Sequence, residues 1–221
     1  MVQTIPKEVM LPVFKSGKGL APNWCEMEYF DITHFAPGEK HVFGRVGAKE
    51  KLIVGRGKCR VAFGGQVVDA EPGTQLDITT PDDRFEITDV SEKAALIRMC
   101  GCWGDEVGGS GIFWLDILDE VSERGDPVEY PKNHALDNHY HDCDEYWIFF
   151  EGRGIAVSEG KHYEAGVGDC VATGMGHHHD MALISAPMKG VFFETTMEGR
   201  KRPGHLWEHA HGPAEPKVER V

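Results

Sequence analysis

The sequence lacks what a membrane or export route would require. No apolar run approaches the roughly 20 residues that span a bilayer. The opening Met1-Val-Gln-Thr-Ile-Pro-Lys-Glu8 has neither the basic nor the apolar region of a secretory leader, so a cytoplasmic location with no membrane partner is expected. Cysteine is sparse: six residues, scattered at 25, 59, 100, 102, 143 and 170. Such spacing gives no disulfide framework, and reduced thiols are expected. Cys100-Gly-Cys102 is tighter than the usual C-x-x-C metal spacing, and is read as two small residues ending a buried strand rather than as a redox or metal pair. Basic charge is also short. Lys and Arg number 23 against 36 Asp and Glu, a formal net charge of -13, which repels phosphate backbones and excludes nucleic acid as the expected partner. Small substrates remain open, because a bound cation reverses a local field.

What is present is enough chain, 221 residues at 41% hydrophobic, for one large or two small cores. From Trp24 onward, short apolar runs alternate with Gly, Pro and Asp turns. Strands are expected over Cys25–Phe35, Lys51–Val54, Lys58–Phe63, Gln66–Ala70, Gln75–Thr79, Arg84–Asp89 and Ala94–Cys100. The same texture returns in Tyr146–Phe150, Gly154–Ser158, Lys161–Glu164, Cys170–Thr173, Met181–Ser185 and Gly190–Thr196. Between them, Gly101–Gly111 reads as a glycine-rich linker and Ile112–Val121 as a strand leading into the second half, although its apolar spacing also fits a helix. Glu123–Asn133 reads as a loop, and the polar tail from Met197 as an extended surface arm, its His205, His209 and His211 solvated or capping a barrel mouth.

A shift of 95 residues lays one half on the other without gaps. Glu50 falls on Glu145, Gly57 on Gly152, Gly65 on Gly160, Ala70 on Ala165 and Gly73 on Gly168. Two similar β domains follow: 1–103, a linker and leading strand at 104–135, and 136–221.

The chemistry concentrates in His139-Tyr-His141-Asp-Cys-Asp-Glu145-Tyr-Trp-Ile-Phe-Phe-Glu-Gly152. Imidazoles at i and i+2 on a strand share one face, and a carboxylate across a tight turn reaches the same point. A third imidazole from His177-His-His179 completes a set suited to a divalent metal of the first transition row, Mn, Fe, Co, Ni or Zn. The repeat places Gly44 and Val46 opposite His139 and His141, so the first half keeps the glutamate without the three matching histidines and serves as scaffold. Trp147 and Phe149 share the face of Glu145 and either line the site or pack the core. Tyr140 and His178 should point away, and Cys143 and Cys170 are structural thiols.

These segments resemble the cupin superfamily, as a two-domain bicupin. His139, His141, Glu145 and Gly152 match its first motif, with the leading glycine replaced. Gly168, Gly176 and His179 match its second, with Gly174 and Leu183 at the motif's Pro and Asn positions. The resemblance implies an all-β fold of two tandem jelly-roll (double-stranded β-helix) barrels. It implies one metal per chain, in the C-terminal half only, on His139, His141, Glu145 and His179, with coordination positions open to substrate. His177, on the face of His179, is the expected proton-transfer residue. The function implied is a small-molecule enzyme using the metal as Lewis acid on a sugar-like or organic-acid substrate, of isomerase, epimerase, lyase or decarboxylase type. The alternatives are a non-haem iron dioxygenase and a non-catalytic binding or sensing module. A homodimer is the expected assembly.

Overall fold

The computed structural model describes residues 13–17, 20–78, 84–119, 121 and 124–221. The leader reading on residues 1–8, and residue 79 at the end of one expected strand, lie outside them. In chain order the strands are β1 (Val13–Lys15), β2 (Met27–Phe35), β3 (His41–Gly44), β4 (Lys49–Arg56), β5 (Cys59–Phe63), β6 (Gln66–Ala70), β7 (Gln75–Ile78), β8 (Arg84–Thr88), β9 (Ala94–Gly101), β10 (Val107–Leu115), β11 (Glu145–Ser158), β12 (Lys161–Gly166), β13 (Asp169–Thr173) and β14 (His179–Thr196). One helical turn, α1 (Glu208–His211), follows.

These strands form three antiparallel sheets. The first has the order β1-β13-β11-β14-β10, with β12 also paired to β11; the second is β2-β9-β4-β7 and the third β3-β8-β5-β6. Alternation along β4 and β9 puts the second sheet in the middle. Ile53, Ile97 and Met99 pack against Tyr146, Ile148 and Phe193 of the first sheet. Leu52, Val54 and Leu96 turn the other way, onto Phe43, Val61 and Ile87 of the third. A strand covered on both faces reads as a continuous apolar run, and every residue of β9 is buried. The front face of the first sheet, carrying Trp147, Phe149 and Val171, builds a third cluster.

The expectation of two closed barrels is corrected here. The arrangement is all-β and cupin-like, but none of the three sheets closes on itself: β1 and β10 end the first sheet without meeting, and the two four-stranded sheets stack face to face. Four strands are too few to curl into a closed cylinder, where about eight leave room for a side-chain core. The glycine-rich stretch before the second half is also not a linker. Residues 107–115 form β10 and pair with β14 from Val107↔Thr196 to Leu115↔Met188. Its glycines clear space for facing side chains: a Cβ at Gly108 would lie 2.5 Å from Glu194 Oε2.

The tail is folded onto the second half rather than extended through solvent. Tyr140 bridges to Leu206, and both are buried. Arg202 grips Asp142 through Nε at 2.9 Å and Nη2 at 2.8 Å. Arg220 reaches Asp144 at 2.9 Å. The loop between His141 and Glu145 is thus braced from behind. The six cysteines are free, and all but Cys102 are buried.

Candidate metal centre

Two chain segments meet to build the cluster. His139 and His179 lie side by side as a bridge, the amide of His179 donating to the carbonyl of His139 at 2.9 Å. The amide of Gly176 donates to the carbonyl of His141 at 2.9 Å, which ties the second histidine to the same turn. Glu145 opens β11, directly beside Glu194 of β14 and Thr173 of β13. His139, His141, Glu145 and His179 are all buried, with ligand atoms within 4.8 Å of one another. Glu145 Oε2 lies 2.6 Å from His179 Nε2, 3.1 Å from His141 Nε2 and 4.0 Å from His139 Nε2.

The outer nitrogens fix which lone pairs face inward. Nδ1 of His139 donates to the Asp137 carbonyl at 2.8 Å, Nδ1 of His141 to the Gly204 carbonyl at 3.0 Å, and Nδ1 of His179 to the His177 carbonyl at 3.0 Å. A carbonyl only accepts, so each Nδ1 carries its proton and Nε2 is the nitrogen each ring turns towards Glu145, as a lone pair whenever the ring is neutral. Nε2 of His139 and of His141 are buried with no hydrogen-bond partner. Lone pairs aimed at a buried carboxylate need a proton or a metal cation between them. The donor set therefore fits a divalent transition metal, and backbone carbonyls orient the imidazoles as such ligands require. Burial, reinforced by the neighbouring imidazoles, pushes His139 well below the usual histidine range. Burial also opposes charge on His141, but Glu145 and Glu194 overcome it and raise its pKa. Glu145 is held far below the usual carboxylate range, because His141 and His179 outweigh its burial.

The first half shows why its glutamate does no such work. Glu50, the repeat partner of Glu145, is buried against Arg98, which donates from Nε at 3.0 Å and Nη2 at 2.6 Å. That carboxylate already has its cation.

The other sequence-derived candidates are placed differently. His177 is buried, with Nε2 2.8 Å from the Lys217 carbonyl and Nδ1 3.5 Å from Glu159, and it does not line the cavity at the cluster. His178 turns to Asp126 at 2.9 Å. Tyr140 points away from the cluster but is fully buried, its hydroxyl donating to the Gly212 carbonyl at 2.5 Å. Trp147 lines the cavity and Phe149 packs the core behind it.

Sequence reasoning missed His205. The tail lays its ring flat on His139, with centroids 3.8 Å apart and planes 4° off parallel, while Nδ1 meets both oxygens of Asp137 at 3.0 Å. It also missed Glu194, whose Oε1 stands 3.6 Å from His141 Nδ1. Its alternation with Phe192 on β14 was the available signal; nothing local marks His205 beyond the histidine richness of the tail. A cavity of about 280 Å³ opens beside the cluster, bounded by His139, Glu145 and His205 on one side and by Phe113, Trp147 and Phe192 on the other. Among the described residues no helix is long and apolar enough to cross a membrane.

No protein-family model matches the chain. It is 45% identical over 214 residues to the uncharacterized protein y4oW of Sinorhizobium fredii, covering 96% of this chain and 97% of that one. Among solved structures it resembles AerE from Microcystis aeruginosa, with a TM-score of 0.57 at 9% identity over 83% of this chain and 99% of that one. It likewise resembles YhaK from Escherichia coli, with a TM-score of 0.53 at 12% identity over 83% and 92%. At such identities the two structures speak for the fold alone. The chain belongs to the family of the Sinorhizobium protein; its fold is cupin-like, and among the described residues the candidate His/Glu metal cluster lies in the C-terminal half.

Proposed function

We propose that this protein is a metal-dependent enzyme acting on a small molecule, with one divalent transition metal held by His139, His141, Glu145 and His179. The observation that carries the reading is the commitment of all three Nδ1 atoms to carbonyls, which leaves three Nε2 atoms and one carboxylate converging in a buried space. A metal there supplies Lewis-acid polarisation of a bound oxygen. The chain's own residues do the rest. Asp142 and Asp144, clamped by Arg202 and Arg220, hold the loop that presents Glu145. His205, anchored through Nδ1 by Asp137, stands at the edge of the cavity, placed to orient the oxygen group of substrate that reaches the metal. His177, turned to the tail carbonyl, holds the tail in this reading rather than moving a proton. The first half acts as scaffold: its middle sheet covers the back of the sheet that bears the site.

The reaction fitting this arrangement is isomerase, lyase or decarboxylase chemistry on an organic acid. A second reading, a non-haem iron dioxygenase, is favoured by one observation, the aromatic wall of Phe113, Trp147 and Phe192 beside the cluster. Metal analysis of protein purified without chelators tests the proposal, and oxygen uptake with candidate substrates divides the two readings. Iron with substrate-dependent oxygen uptake selects the dioxygenase; turnover with Mn, Ni or Zn in the absence of oxygen selects Lewis-acid chemistry. Protein free of transition metal after growth in metal-replete medium contradicts both.

A further inference from the structure

The cavity beside the cluster is divided in chemistry. Its walls are Phe113, Leu115, Leu136, Trp147 and Phe192. Its polar groups, His139, Glu145, Asp137 and His205, belong to the cluster and its rim. Among the described residues no Lys, Arg, Ser, Thr, Asn or Gln lines it. Asp137 is already taken up by hydrogen bonds from His205 Nδ1 at 3.0 Å and Trp207 Nε1 at 2.9 Å. A polyhydroxylated chain placed here would leave hydroxyls against hydrocarbon with no partner, at a penalty of about 1–3 kcal/mol for each. A flat apolar ring would instead find a continuous aromatic wall, in which Phe113 and Trp147 pack on each other with centroids 5.8 Å apart and planes at 48°. Size agrees. An apolar cavity of about 150 Å³ holds one benzene, so about 280 Å³ has room for one ring with its oxygen substituents.

We infer that the substrate is a single-ring, aromatic-type compound bearing an oxygen headgroup, the ring lying against Trp147 and Phe192 and the headgroup reaching the His/Glu cluster. The inference rests on the metal reading above and deepens it, because the metal is what receives the headgroup. It turns away from the sugar-like substrates that the ligand set alone permits.

Mandelate, lactate and gluconate share one α-hydroxy acid headgroup and differ in carrying a phenyl ring, a methyl group or a polyol chain. Zinc-loaded protein titrated with each in a calorimeter should bind mandelate at least about tenfold more tightly than the other two, as burial of a ring implies. Phe192→Ala and Leu136→Ala should each remove most of that preference while leaving zinc at one per chain. Gluconate or lactate binding as tightly as mandelate, or mandelate failing to bind at all, with zinc at one per chain, overturns this inference and leaves the metal reading standing. Mandelate affinity that is the same without zinc likewise overturns this inference, and failure to retain zinc overturns the metal reading itself.

Discussion

His134 should make stability fall in mildly acidic solution, and the structure gives both the size and the sign. The side chain is fully buried. Its Nε2–H donates to the Met181 carbonyl at 2.9 Å, and its Nδ1 accepts from the Leu136 amide at 3.2 Å, so the ring is read as neutral with one nitrogen of each kind. A second proton on Nδ1 would face a donor. Burial, joined by the charge of Lys132, lowers the pKa from 6.5 to about 4. Above pH 6.5 folded and unfolded chains both keep the ring neutral, and the full contribution is present. As pH falls below 6.5 the unfolded chain takes the proton first, so stability is lost progressively until the folded form also protonates near 4. At 1.36 kcal/mol per pH unit, lowering the pH from 7 to 5 should remove about 2 kcal/mol through this residue. The assay is urea unfolding at pH 7, 6 and 5, with chelator in every sample so that metal release adds nothing. His134→Gln should be less stable than wild type at pH 7 yet lose about 2 kcal/mol less on acidification. Parallel profiles for the two proteins would refute the reasoning. The consequence reaches the site, since Leu136 and Met181 belong to the cluster around the cavity.

Metal binding at pH 7 should release about one proton per chain, because the raised pKa of His141 means a ligand nitrogen must give one up; calorimetry in buffers of different ionisation enthalpy measures it, and a slope of zero contradicts the assignment. Arg98→Met should destabilise by about 3–5 kcal/mol, because it leaves Glu50 buried beside no cation. Metal content should be unchanged by that substitution, and both effects are read from unfolding curves and elemental analysis. Gly152→Ala should destabilise by at least about 2 kcal/mol: φ is +82° there, and a Cβ would collide with the Pro187 carbonyl. A neutral result would mean that β11 does not bend where the structure puts the bend.

Much of the site was legible because its determinants are local. The i, i+2 spacing of His139 and His141 and the alternation of Glu145, Trp147 and Phe149 are properties of strands alone. The turn between the expected strands Lys58–Phe63 and Gln66–Ala70 was legible for the same reason: Gly64 and Gly65 both have positive φ between β5 and β6. What escaped depends on distant partners. Glycines at 108, 109 and 111 weaken strand propensity and so read as linker, yet they are there to clear Glu194 and Phe192 on β14. The tail looked solvated because it is polar, but its arginines answer Asp142 and Asp144 some 60 and 76 positions away. Sheet closure failed as an expectation because edges are decided by which strands meet in space, and among the described residues the end strands of each sheet pair on one side only. His205 had no local signature beyond the histidine richness of the tail; the bridge of Tyr140 to Leu206 and the hydrogen bonds to Asp137 deliver it to His139.

The central claim is that His139, His141, Glu145 and His179 hold a metal. Its most direct test is elemental analysis of wild type and His139→Ala, both purified without chelators, with circular dichroism to show that the variant is folded. The account predicts about one transition-metal ion per chain in wild type and close to none in the folded variant. Equal metal in the two proteins would contradict it.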